Sequence, residues 1–204
     1  MNQYGFRPGH STDHALVYVI DNLLQALDGK EYLVGVFMDL AKAFDTINHE
    51  ILLRKLLQYG ITETGLNWFK SYLSNREQQV KFNRILSGKK KIVCRVPQGS
   101  LLGPLLFILY INDLYKTSNA LTFGLFADDA NAFIKGRNLD SVINYLNSEL
   151  TNVAEWFDPS QLSLNIRKTQ YMVFSNMPLN TSKSVRIKGI KLEQVKCTKL
   201  LADI

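Results

Sequence analysis

Apolar residues recur across residues 139–157 at Leu139, Val142, Ile143, Leu146, Leu150, Val153, Ala154 and Phe157. Offsets of three, four, seven and eleven put all of them on one face of a helix, which Pro159 ends. A different period governs Tyr32 to Met38, a short, apolar, partly β-branched run that predicts a buried strand ending at Asp39. Ile47 to Tyr59 has helical spacing and stops at Gly60, and Gly65 to Leu73 carries Leu66, Phe69, Tyr72 and Leu73 on one face. Val80 and Phe82 alternate with polar neighbours, and Ser87-Gly88 predicts a hairpin turn toward Ile92 and Val93. Leu101 to Leu114 reads as a buried helix with Pro104 in its first turn. Leu121 to Ala127 and Ala130 to Ile134 are strand-like runs joined at Asp128-Asp129. Leu162, Leu164 and Ile166 alternate with polar residues, and Arg167-Lys168-Thr169 bends the chain before the strand-like Tyr171 to Phe174. Strand, helices, hairpin, helix, hairpin, helix, hairpin is an α+β order: a sheet with helices packed on one face, not a doubly wound fold.

Composition narrows the class. A chain of 204 residues with 46% hydrophobic and 21% charged residues, no repeat and no low-complexity linker, predicts one globular domain. The excess of 24 Lys+Arg over 18 Asp+Glu, a formal charge of +6, favours anionic partners without proving one. Cys94 and Cys197 stand far apart without CxxC spacing, so neither a disulfide framework nor a zinc cluster is indicated, and a reducing intracellular compartment is expected. The three histidines, His10, His14 and His49, have no ligand spacing. MNQYGFRPGH is no secretory start, and the most apolar stretch, Leu101 to Ile111, falls well short of the roughly 20 residues that span a bilayer.

Three acids stand at the ends of apolar runs: Asp39 after VGVFM, and Asp128 with Asp129 after FGLFA. If those strands are neighbours, the carboxylates converge and repel unless a hard cation lies between them. Mg²⁺ accepts one or two carboxylates plus substrate phosphate oxygens. Two such ions about 3.5–4 Å apart are the arrangement of polymerases. An Asp-Asp pair alone is ordinary turn chemistry. Its setting changes the weighing, because it sits in Phe126-Ala127-Asp128-Asp129, follows PQGSLLGPLLF and is preceded far upstream by DLAKAFD.

Those segments, Asp39 to Asp45, Val96 to Phe107 with Tyr110-Ile111-Asn112-Asp113-Leu114, and Phe126 to Asp129, resemble in order and spacing the palm motifs of non-LTR retrotransposon reverse transcriptases, especially jockey-like elements. Gln3-Tyr4-Gly5-Phe6-Arg7-Pro8-Gly9 is similar to the family's segment leading into the palm, and Leu162-Ser163-Leu164-Asn165 with Lys168-Thr169 to its next motif. The resemblance covers nearly the whole chain. It implies a polymerase palm, a ferredoxin-like antiparallel sheet with helices on one face, with partial fingers and no thumb: a single domain over residues 1–204, cut short at both ends relative to the family.

The implied activity is RNA-directed DNA synthesis on an RNA template and DNA primer from deoxynucleoside triphosphates, with two Mg²⁺ ions for which Mn²⁺ could substitute, inside a longer polyprotein. Asp39 and Asp128 would be the principal metal carboxylates, with Asp129 beside them and the Leu40 carbonyl an extra oxygen. Phe44 matches the position whose bulk disfavours a 2′-hydroxyl. Gln98 and Gly99 would meet the incoming nucleotide and template, Lys168 the nucleotide phosphates, and Arg7 a phosphate or, equally, its own strand entry. His10 stands where the family has a basic residue, and Ala130 where it often has Thr. The alternatives are a catalytically weak nucleic-acid-binding remnant and, more distantly, a nucleotidyl cyclase, which has no reason to carry PQGSLLGP between its acids.

Overall fold

The structure, a computed structural model, describes residues 3–41, 43–92, 94–96 and 99–198. In chain order its elements are α1 (Thr12–Asp28), β1 (Tyr32–Met38), β2 (Leu40–Ala41), α2 (His49–Gln58), α3 (Glu63–Leu73), β3 (Glu77–Gln78), β4 (Lys81–Phe82), β5 (Ile85–Leu86), β6 (Lys90–Lys91), α4 (Leu102–Ile111), β7 (Thr122–Phe126), β8 (Asp129–Gly136), α5 (Leu139–Phe157), β9 (Ser163–Leu164), β10 (Gln170–Phe174), β11 (Arg186–Ile187), β12 (Ile190–Lys191) and β13 (Glu193–Gln194). Two compact units emerge, Met1–Ala41 with Ile111–Ile204, and Lys42–Tyr110.

The first unit is built on a five-stranded sheet in the order β13-β10-β1-β8-β7. Apart from the short parallel β13 at the edge, neighbouring strands are antiparallel. The four long strands β1, β7, β8 and β10 therefore lie first beside fourth and third beside second, the ferredoxin-like arrangement that the family resemblance implies. β1 is paired on both sides, and six of its seven residues are buried, which is why its sequence reads as an unbroken apolar run.

Each sheet face has its own helix, which corrects the expectation of helices on one face: α1, a helix the sequence pattern does not assign, covers the second. A Cβ on Gly136 would stand 2.7 Å from Val142 Cγ2, so α5 covers the face to which β8 turns its even-numbered residues. On the other face Leu33, Phe37 and Phe133 pack with Val19 and Ala26 of α1. The Phe133 ring lies over Gly35, where a Cβ would come within 2.9 Å, and meets Phe37 edge-on at 6.1 Å. α5 spans the predicted residues, is capped by the Asn138 side chain on the Ser141 N–H, and buries all eight apolar positions. Each large one contributes roughly 1.5–3 kcal/mol by leaving water. α1 lies in a stretch to which the periodicity assigns no element.

In the second unit Ile47, Leu52, Leu56, Leu73, Leu106, Phe107 and Tyr110 form the interior. Lys55 is buried among them, with its ammonium donating to the Tyr110 carbonyl at 2.7 Å and standing 5.2 Å from that ring's centre. The expected hairpin exists but turns elsewhere. β4 pairs with β5 around Asn83-Arg84, whose φ of 44° and 66° mark a type I′ turn. Ser87-Gly88 instead forms a bulge: Lys81↔Leu86 and Phe82↔Ile85 give way to Gln78↔Lys90 and Glu77↔Lys91, a register one residue longer on the returning strand. The Ser87 hydroxyl accepts from the Val80 N–H at the step. Among the described residues no helix is long and apolar enough to cross a membrane.

Candidate active site

The site is built around the β7–β8 hairpin. Phe126 faces Asp129 in register, so the loop is the two residues Ala127 and Asp128, one position earlier than the sequence pattern places it. Ala127 takes φ 52°, a left-handed conformation that costs a residue with a Cβ on the order of 1 kcal/mol. Asp128 is exposed at the tip, and Asp129, the first residue of β8, is half-buried.

Neighbouring segments hold the strained Ala127 in place. It is buried with Ala15 and Phe126, and Tyr4 packs against them. Gln3 bridges in parallel to Leu125, the Tyr4 N–H donates to the Leu125 carbonyl at 2.8 Å, and the Gly5 N–H donates to Gln3 Oε1 at 2.9 Å. Gly5 is pressed so closely on the loop that a Cβ there would lie 2.3 Å from Ala127 N and 3.1 Å from the Phe126 carbonyl carbon. This prop is a contact of the candidate site that the sequence reading missed. The signal was a glycine inside a recognised motif, but only contact geometry says what it touches. Tyr4 has its phenol pKa raised, chiefly by burial and secondarily by the neighbouring Tyr18 hydroxyl.

Asp39 comes from the other side of the corner. The last registered pair between β1 and β8 is Met38↔Ala130, so the next positions outward are Asp39 and Asp129. Directly opposed residues of antiparallel strands have Cα atoms about 4.5–5.5 Å apart. The backbone of Asp39 is gripped from the turn after β9: its N–H donates to Thr169 Oγ1 at 3.3 Å, and its carbonyl accepts the Asn165 N–H at 2.8 Å. The buried Thr169 hydroxyl donates in turn to the Asn165 carbonyl at 3.0 Å, and β2 pairs with β9 through Leu40↔Leu164. Lys168 stands exposed on that same turn, so the bend read from the sequence brings a cation to the backbone neighbourhood of Asp39. Among the described residues, no three His, Cys, Asp or Glu side chains form a preformed metal cage.

Arg7 turns toward its own segment, its guanidinium donating to the Gln3 carbonyl at 3.1 Å. In the second unit Phe44 sits in a 3₁₀ turn, Ala43–Asp45, half-buried with its ring 4.7 Å from that of Phe107. Asp45, the second acid of DLAKAFD, pairs with Arg95 at 3.1 Å, and Arg95 also donates to Gln78 Oε1 at 3.1 Å. Gly99 is exposed with φ 78°, a conformation that favours glycine, and Ser100 Oγ accepts from the Gly103 N–H at 3.0 Å at the start of α4. Gln98 lies outside the described residues.

Comparison with known proteins bears on the family and the fold. Residues 1–196 match the family of reverse transcriptases (RNA-dependent DNA polymerase). A probable RNA-directed DNA polymerase from transposon X-element of Drosophila melanogaster is 30% identical over 204 residues, 98% of this chain and 22% of that protein. The RNA-directed DNA polymerase from mobile element jockey of the same species is 31% identical over 182 residues, 85% of this chain and 20% of that protein. This chain thus spans about a fifth of the length of these curated relatives. Among solved structures, apo telomerase from Candida tropicalis, truncated from its C-terminal domain, superimposes with a TM-score of 0.60 at 13% identity over 90% of this chain and 37% of that one, a likeness of fold. Reverse transcriptases as a family use divalent metal ions. With the palm order of strands, the acids at one corner of the sheet and a family match along nearly its full length, the chain belongs to the reverse transcriptase family, in the company of the non-LTR retrotransposon polymerases.

Proposed function

We propose that this chain supplies the nucleotidyl-transfer centre of an RNA-directed DNA polymerase that extends a DNA primer on an RNA template from deoxynucleoside triphosphates, as part of a longer retrotransposon polyprotein. The observation carrying this reading is the β1–β8 register, which runs out into Asp39 and Asp129 while the two-residue loop presents Asp128 beside them. Such an all-oxygen donor set suits Mg²⁺, which needs only one or two carboxylates and completes its shell with water and substrate phosphates, so a preformed cage is not required. Asp39 and Asp128 would be the principal ligands of two ions, with Asp129 adjacent, the Leu40 carbonyl a further oxygen and Mn²⁺ a substitute. Held there, such ions would supply activation of the attacking hydroxyl and compensation of charge on the leaving oxygen.

The chain's own groups do the rest. Anchoring the Asp39 backbone at both N–H and carbonyl fixes where its carboxylate starts, so little reorganisation is left for the reaction. The primer 3′-hydroxyl gives up its proton to water as its oxygen bonds to the α-phosphorus and the bond to pyrophosphate breaks. Lys168 either neutralises the charge of the leaving pyrophosphate or hands it a proton. Phe44, seated against Phe107, blocks a 2′-hydroxyl, and Gln98 with Gly99 contacts the incoming nucleotide and template, Gly99 through a backbone free to approach closely. Arg7 keeps a phosphate contact through guanidinium N–H groups beyond the one given to Gln3. In this reading residues 1–204 work as one palm-centred domain, supported by a family match that runs continuously to residue 196. Free thiols at Cys94 and Cys197 support an intracellular setting.

The test is Asp39→Ala in a hybrid in which this chain replaces its matching segment of the X-element polymerase. Single-nucleotide addition to a primed RNA template should fall by at least about a thousandfold, roughly 4 kcal/mol of barrier. Addition within a few-fold of the parent hybrid would leave the nucleic-acid-binding remnant as the better reading.

A further inference from the structure

The chain's positive charge is not spread over its surface. Between Arg76 and Lys91 stand Arg76, Lys81, Arg84, Lys89, Lys90 and Lys91 against a single acid, Glu77. Taking these six cations and one acid from the 24 and 18 of the whole chain leaves 18 against 17 elsewhere, so this segment holds all but one of the six excess charges. A solvated helix face or a scattering of surface lysines would not concentrate charge this way.

The segment folds as one arm, β3 to β6, in which every residue is exposed except the half-buried Arg76. Large apolar side chains stand among the cations: Phe82 and Ile85 are each 73% exposed, and Val80 is 66% exposed. Cross-strand partners share a face, so Phe82 lies with Ile85 and Gln78 with Lys90. Alternation along the first strand puts Gln78, Val80 and Phe82 together. The bulge at Ser87-Gly88 allows the even-numbered Lys90 to join the odd-numbered Ile85 on that face; without it Lys90 would point to the other side. A groove lined by Gln78, Val80, Ser87, Gly88, Lys89 and Lys90 runs from this apolar platform. An aromatic and aliphatic platform continuing into a groove with two lysines, Lys90 and the Lys89 that pairs with Glu77 at 3.4 Å, and a glycine fits an unstacked base followed by its phosphates. A duplex keeps its bases stacked inside and would not use the platform.

We infer that the 76–91 arm is a binding surface for single-stranded RNA, with bases resting on Phe82 and Ile85 and phosphates tracked along the groove's Lys89 and Lys90. The identity of that RNA as the template rests on the polymerase reading; the binding surface does not.

The experiment measures binding of a fluorescent 20-nucleotide RNA of mixed sequence to residues 1–204 by anisotropy across a salt series. The proteins are wild type, Lys89→Gln/Lys90→Gln/Lys91→Gln, Phe82→Ala, and Lys183→Gln/Lys191→Gln/Lys196→Gln, whose exposed lysines lie in the other unit. The arm triple variant should bind at least tenfold more weakly, and its slope of log affinity against log salt should flatten by about 1.4, two phosphate contacts at roughly 0.7 each. Phe82→Ala should lose about five- to a hundredfold, the range of one base–aromatic stack. The control triple variant, with the same change in net charge, should stay within about threefold of wild type. An unchanged slope in the arm triple variant, or an equal loss in the control, overturns the assignment. Wild-type RNA affinity in Phe82→Ala, or a duplex competing as well as single strands, overturns its single-strand character and leaves a plain phosphate contact. Melting temperatures close to wild type show that the variants fold. This assay reads binding alone and not nucleotide addition, so failure of the arm and failure of the catalytic reading give different results.

Discussion

Two β-hairpins in this chain use the same local device to opposite ends. Both close with two-residue loops that demand a left-handed conformation from residues other than glycine, Ala127 in one and Asn83 with Arg84 in the other. The β7–β8 hairpin buries four of the five residues of its first strand, lies in a five-stranded sheet and has the Gln3–Gly5 segment pressed on its loop. Among the described residues the strands of the 76–91 arm pair with one another alone, and its side chains stand in water apart from Arg76 and the Gln78 amide that Arg95 reaches. A strained loop supported on several sides can hold a carboxylate to the sub-ångström tolerance that catalysis needs. An arm held by a few short ladders opens locally at low cost, which suits a surface that must accept RNA of any sequence.

The largest effect expected from this contrast is chemical. Asp128→Asn alters only an exposed loop side chain, so the hybrid polymerase should keep its melting temperature within a few degrees. Its nucleotide addition should nevertheless fall by a hundredfold or more, about 2.7 kcal/mol. Rapid-quench measurement of one addition decides it; an active Asn variant would mean that the precision of this hairpin serves packing alone.

Next comes a matched pair of glycine substitutions. Gly5→Ala drives a Cβ into the Ala127 backbone and should destabilise the chain by about 1–3 kcal/mol, lowering Tm by roughly 2–10 °C. Gly88→Ala in the arm meets nothing within 4 Å and should stay within about 0.5 kcal/mol of wild type. Equal effects in calorimetry would erase the difference in support between the hairpins.

A smaller change should tighten the arm. Arg84→Gly places glycine at a φ of 66° in a type I′ turn and should protect the amides of Phe82 and Ile85 against hydrogen exchange by about 0.5–1 kcal/mol. Exchange as fast as in wild type would show that the loop conformation is not what limits the arm.

The smallest effect lies in the prop beside the β7–β8 loop. Tyr4 has a phenol pKa raised by burial and by Tyr18, so the folded chain holds that proton more tightly than the unfolded one. Its contribution is complete below the ordinary tyrosine value of about 10 and is lost as pH climbs from there through the folded value. Urea midpoints at pH 8 and pH 10.5 should therefore converge more closely in Tyr4→Phe than in wild type. An identical alkaline loss in both proteins would remove Tyr4 from the buried prop.

Some of this molecule was set by its sequence alone. α5 is legible to the residue because a single period of 3.6 over 19 positions leaves one stripe to bury, and all eight stripe residues are buried. β1 is equally plain, since a strand buried on both faces needs no alternation. The acids could be singled out because chemistry ties their residue types to strand ends, and the motifs around them carried the family. Tertiary structure decided the rest. α1 escapes the pattern because Leu16, Val17, Ile20 and Leu24 are exposed while Ala15, Val19 and Ala26 are buried, which leaves no clean apolar stripe to read. The arm turns at Asn83-Arg84 and bulges at Ser87-Gly88 because strand pairing, not dipeptide preference, sets register. Thr169 grips Asp39 across 130 positions of sequence, and Gly5 reaches Ala127 through space. Local periodicity cannot encode such contacts, because what makes them is the distance between backbones that folding alone brings together.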